Sequence, residues 1–106
     1  DALPIFNLNK IMQALNNQDY KFVYNKLANS FKTANFPTLD SFITYAKTNF
    51  YRNNSFEYLT FGSEGTAYFT YNLNIGDNTG KNTNIINKTF IMSLGEDTDF
   101  EFSFSI

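Results

Sequence analysis

The side chains able to do chemistry are few in kind. The 106-residue chain has no histidine and no cysteine, which excludes a thiol nucleophile, a disulfide framework, a Ser-His-acid triad, a zinc finger and a haem histidine. It also leaves no general base whose unperturbed pKa lies near neutrality. Carboxylates, tyrosines, lysines and amides remain. The run Gly95-Glu96-Asp97-Thr98-Asp99 gathers three carboxylates, as a calcium loop does, but an oxygen cage of roughly six to eight ligands needs more donors than it supplies. It reads as a solvated turn. Gly62-Ser63-Glu64-Gly65 has glycines but carries an acid and leads into no helical pattern, so it reads as a hairpin turn and not as a phosphate loop. No metal and no cofactor is expected.

Charge narrows the partners. Eight Lys/Arg stand against ten Asp/Glu, a net charge of −2, with a pI near 4.9, so no basic field attracts a phosphate backbone or an anionic lipid. Nucleic acid is not an expected partner. No run of about 18 apolar residues exists to span a membrane, and no basic-then-apolar signal segment is present. The chain opens at Asp1 and not at Met, the expected mark of a trimmed or processed piece, with room upstream for a signal peptide or an anchor helix. At 42% hydrophobic and 19% aromatic, residues 1–106 suit a single domain that buries about two thirds of its unfolded surface. The sixteen asparagines fall mainly in caps, turns and outward strand positions. Asn53-Asn54-Ser55 and Asn87-Lys88-Thr89 match the glycosylation sequon, which matters only in a eukaryotic secretory protein.

The elements that must position these residues change period once, from helical to strand-like, near residue 50. Leu8, Ile11, Met12 and Leu15 fall at i, i+3, i+4 and i+7 and predict a first helix ending at Asn16 and Asn17. Asp19 is placed to cap a second helix of about residues 19 to 32, whose apolar stripe is Tyr20, Val23, Tyr24, Leu27 and Phe31. Pro37 forbids continuation, Thr38 can cap again, and Leu39, Phe42, Ile43, Ala46 and Phe50 predict a third helix, with Phe36 or Pro37 stapled to Phe42. Alternation then takes over. Strands are expected over residues 56 to 61, from Ala67 to Ile75, around Ile86, Phe90, Met92 and Leu94, and at the end, where Phe100, Phe102, Phe104 and Ile106 alternate with polar residues. Helices first and strands afterwards mean α+β, here three helices packed on a curved four-stranded antiparallel sheet.

The opening Ile11-Met12-Gln13-Ala14-Leu15-Asn16-Asn17-Gln18-Asp19-Tyr20, followed by Phe36-Pro37-Thr38-Leu39-Asp40-Ser41-Phe42, Tyr45 and Asn49-Phe50-Tyr51, resembles the start of bacterial members of the nuclear-transport-factor-two-like superfamily. The resemblance implies a cone of helices closed over a curved sheet. It also implies a place outside the bacterial cytoplasm, in an anchored or secreted protein, mostly as a non-catalytic module. Ketosteroid isomerases share that cone, and there a tyrosine and carboxyl groups project into an apolar interior. By that likeness the pocket candidates here are Tyr20, Tyr24, Tyr45, Glu57 and Tyr71. Glu57 is the one carboxylate with a phase, shared with Leu59 and Phe61, that points inward; the opposite phase, Phe56 with Tyr58, sends it to solvent.

Tyr68, Thr70, Thr89 and Ile91 occupy the strand phase opposite the cone. Aromatic and β-branched residues there suggest a covered sheet face and, with the family's habit of pairing through it, a homodimer or docking surface. Two readings follow. One is a non-catalytic interaction module or a binder of a small hydrophobic ligand. The other is a small isomerase- or dehydratase-like enzyme using Tyr24, Glu57 and Tyr71. They differ in whether the thirteen phenylalanines fill the cone or line a cavity in it.

Overall fold

A computed structural model describes residues 4–64, 67–93 and 100–106. Helix α1 (Pro4–Asn16) buries Leu8, Ile11, Met12 and Leu15, the stripe expected from their spacing, and opens on a proline, which lacks only an N–H that the first turn would leave unbonded. After it Gln18 takes a left-handed conformation, φ 58°. Its side-chain amide donates to the carbonyls of Leu15 and Arg52, holding the turn. The Asp19 carboxylate then accepts from the Phe22 N–H at 3.3 Å, capping α2 (Tyr20–Lys26).

The single second helix expected over residues 19 to 32 is two helices. α2 ends at Lys26, Leu27 and Ala28 are extended with ψ near 140°, and α3 (Asn29–Asn35) starts afresh. Leu27 forms a parallel bridge with Phe102, and the Ala28 N–H donates to the Phe102 carbonyl at 2.9 Å. Those two residues therefore join the sheet edge and leave the helical ladder. The described residues form four helices. α4 (Leu39–Asn49) carries the Thr38 cap with a capping box to Ser41, and the Phe36 and Phe42 rings meet edge to face at 5.4 Å, the staple expected there.

Strands β1 (Asn54–Glu64), β2 (Tyr68–Asp77), β3 (Ile86–Ser93) and β4 (Phe102–Phe104) form one antiparallel sheet in chain order. Gly62 and Ser63, expected in a turn, pair with Thr70 and Phe69 inside the ladder; Gly65 lies outside the described residues. The ladder between β1 and β2 slips by one residue between Tyr58 and Thr60, a bulge at Leu59. Before the bulge Phe56 and Tyr58 share a face with Ile75 and Leu73; after it Phe61 and Ser63 share that face with Tyr71 and Phe69. This resolves the phase of Glu57. It lies opposite Asn74 on the outer face, exposed, and accepts from the Asn74 amide at 3.3 Å. The inward phase read from Leu59 and Phe61 does not reach it.

The core lies between the helices and the inner face of the sheet, with Tyr71, Leu73, Ile75, Phe90, Met92, Phe100, Phe102 and Phe104 buried beneath Leu8, Ile11, Val23, Phe36, Phe42 and Phe50. No helix among the described residues is long and apolar enough to cross a membrane.

Candidate functional site

The interior beneath α4 is a box of rings. Phe104 touches Phe31, Phe36, Tyr45, Phe50, Phe90 and Phe102, with centroids 5.1 to 6.2 Å apart. Into this box the inner face of β3 sends a cation. Lys88 shares the phase of Ile86, Phe90 and Met92 and is 4% exposed. Its ammonium donates to the Tyr45 hydroxyl at 2.6 Å, to the Ser105 carbonyl at 3.0 Å and to the Ile106 carbonyl at 2.9 Å. All three protons are used, and the Tyr45, Phe50 and Phe104 faces surround the charge at 5.2 to 5.9 Å. Burial pushes its pKa below the usual lysine range. The even phase of β3, shared with Ile86, Phe90 and Met92, marks Lys88 as inward in the sequence itself.

The five pocket candidates do not converge. The Tyr24 hydroxyl donates to the Phe36 carbonyl at 2.8 Å. Tyr45 donates to the Ile106 carbonyl at 3.3 Å while accepting from Lys88. Tyr20 lies half-buried beside a surface cleft lined by Lys47, Tyr51 and Arg52. Tyr71 is buried further along the inner face, against Phe61 at 5.1 Å and Tyr58 at 6.4 Å. Glu57 is on the other side of the sheet. Burial raises the pKa of Tyr45, and burial followed by the neighbouring Tyr58 raises that of Tyr71, so both stay neutral hydroxyls. No aspartate or glutamate among the described residues is buried.

Among the described residues, one buried side-chain amide has no protein partner. Asn7, in the first turns of α1, is 0% exposed, and neither atom of its amide makes a hydrogen bond. Its spacing of four from Ile11 puts it on the buried side of the helix.

The outer face divides in two. Towards one end, Asn72 and Asn87 exchange amide hydrogen bonds at 3.1 and 3.0 Å, Asn72 also donates to Thr89, and Asn87 also donates to Asn74. Towards the other, Tyr68 and Ile91, two of the four interface candidates, line a groove of about 350 Å³ with Phe31 and Ala34 of α3, Ser103 of β4 and Glu101 just before it. Thr70 lies opposite Ile91, and Thr89 opposite Asn72, on the same face. The helical wall could not be read from the sequence, because α3 hangs over the sheet edge only through the break at Leu27 and Ala28. The acidic run 95–99 lies outside the described residues.

No protein-family model, curated protein or solved structure matches this chain.

Proposed function

We propose that the chain is a non-catalytic interaction or small-ligand-binding module of nuclear-transport-factor-two-like type, serving in an anchored or secreted bacterial protein outside the cytoplasm. The observation that carries the reading is the interior. Among the described residues rings pack its covered end, no carboxylate is buried in it, and the Tyr24 and Tyr45 hydroxyls are spent on main-chain carbonyls and on Lys88. An isomerase needs a carboxylate base facing an open apolar pocket, and Glu57 faces the other way. What is left for function is surface, with the outer sheet face and its exposed Tyr68 the first part to consider, either for a homodimer or for another partner.

The test is turnover. A β,γ-unsaturated ketosteroid, followed by the absorbance of its conjugated product, should isomerise no faster with the wild-type chain than in buffer. A rate above buffer that falls at least about tenfold in Tyr71→Phe or Tyr24→Phe overturns the reading.

A further inference from the structure

The groove between α3 and the outer face of the sheet has a chemistry of its own. Its walls mix apolar side chains with Ser30, Asn35 and Ser103, and the apolar part is held in place: the Phe31 ring is pinned edge-on against Phe36 at 5.8 Å and Phe104 at 5.1 Å, and Ile91 sits in the ladder opposite Thr70. The small Ala34 lines the same space as Phe31 and the exposed Tyr68. One charge among the described residues lines this space. The Glu101 side chain is exposed and makes no hydrogen bond or ion pair among the described residues, while its main-chain N–H donates to the Ser93 hydroxyl and its carbonyl accepts from the Ser93 N–H.

An open trough of about 350 Å³ is at the lower end of what holds a whole small molecule and suits a side-chain anchor of a larger partner. We propose that this groove docks a peptide segment of a partner protein that presents an aromatic side chain beside a lysine or arginine. The ring enters the groove beside Phe31, Ala34 and Tyr68, and the cation meets Glu101. Ser103, on the same wall, supplies a hydroxyl for the peptide main chain. The assignment rests on the non-catalytic reading and adds the partner's chemistry to it.

Three capped dipeptides that differ only in charge, N-acetyl-Phe-Lys-amide, N-acetyl-Phe-Gln-amide and N-acetyl-Phe-Glu-amide, test it when titrated into the full chain and followed by the methyl resonances of Ala28, Ala34 and Ile91. The lysine peptide should give saturable shifts at these methyls and bind at least about tenfold more tightly than the glutamate peptide, with the glutamine peptide between. Glu101→Gln should leave the shifts but erase the ranking, and Ala34→Leu, tolerated on an exposed helical position, should abolish both. Absence of saturable shifts, a ranking indifferent to charge, or one that survives Glu101→Gln overturns the proposal. So does phenethylamine binding as tightly as the lysine peptide, which would make the groove a small-molecule site. Methyl shifts that depend on protein concentration without any peptide also overturn it, since a second copy would then be the occupant. Ketosteroid turnover is read separately, so an enzyme and a wrongly assigned groove fail in different experiments.

Discussion

One row of inner-face residues crosses the whole sheet: Phe61 lies opposite Tyr71, Tyr71 opposite Phe90 and Phe90 opposite Phe104. All four are aromatic, yet Phe90 is 1% exposed and Phe61 is 61% exposed. The difference is not in the strands. Over β3 and β4 the row lies under Phe36, Tyr45 and Phe50, whereas at β1 the ring contacts of Phe61 among the described residues are with strand neighbours, stacked on Phe69 at 5.6 Å and tilted on Tyr71. A sheet face is a core only where a second layer closes over it; the same alternation at an uncovered edge leaves an aromatic surface.

The comparison breaks first if truncating the two ends costs the same. Phe90→Ala should destabilise the fold by about 3 to 5 kcal/mol in urea unfolding, and Phe61→Ala by less than about 1 kcal/mol. Lys88 sharpens it next, because only the covered end holds a charge. Lys88→Met removes the donor to the Tyr45 hydroxyl and to the carbonyls of Ser105 and Ile106, of which Tyr45 and Ile106 keep their mutual bond, and should lower stability by about 1 to 3 kcal/mol near neutral pH. Burial holds the lysine below its ordinary 10.5. Between that lowered value and the ordinary one the folded protein binds fewer protons than the unfolded chain, so the stability of wild type relative to Lys88→Met should rise with pH across that window.

Asn7 works in the opposite direction. Its buried amide makes no hydrogen bond, so Asn7→Leu should raise stability by about 1 to 2 kcal/mol, again by urea unfolding. Loss of stability would reveal a polar partner for that amide. The smallest effect belongs to the exposed loop after β2. The Asp77 carboxylate accepts from the side chain and N–H of Thr79 and from Asn82, which lowers its pKa from 3.8 to about 2. Its contribution is present above the ordinary carboxylate range and is lost as pH falls through about 2. The amide resonances of Thr79 and Asn82 should titrate with that midpoint, and Asp77→Asn should remove the titration while leaving neutral-pH stability nearly unchanged.

Legibility followed locality. The stripes of α1 and α4, the caps Asp19 and Thr38 and the inner phases of β2 to β4 depend on neighbours a few positions away, and the sequence pattern displays them. The phase of Glu57 depends on a bulge at Leu59, and nothing in the run Phe56 to Phe61 marks which residue is the extra one. Half of the groove was readable, since Tyr68 and Ile91 share an outward phase. The other half needed α3 as a separate helix, and that break is imposed by Phe102 from the far end of the chain. Lys88 is the reverse case: its position was readable, but its meaning depended on Tyr45 and on the carbonyls at the end of β4.

The bridge between Leu27 and Phe102 also orders events in time. It joins residues from nearly opposite ends of the chain, and closing so long a loop is slow. Until β4 arrives, nothing interrupts the apolar stripe that runs from Tyr20 to Phe31, and the chain's local preference is one continuous helix. The expected order is a longer helix first, whose middle the last strand unwinds as it docks. Ala28→Pro, which suits the native φ of −59° and forbids that helix but also deletes the N–H bonded to Phe102, would separate the two: less early helicity in stopped-flow circular dichroism, and faster unfolding of a native state that has lost one edge bond.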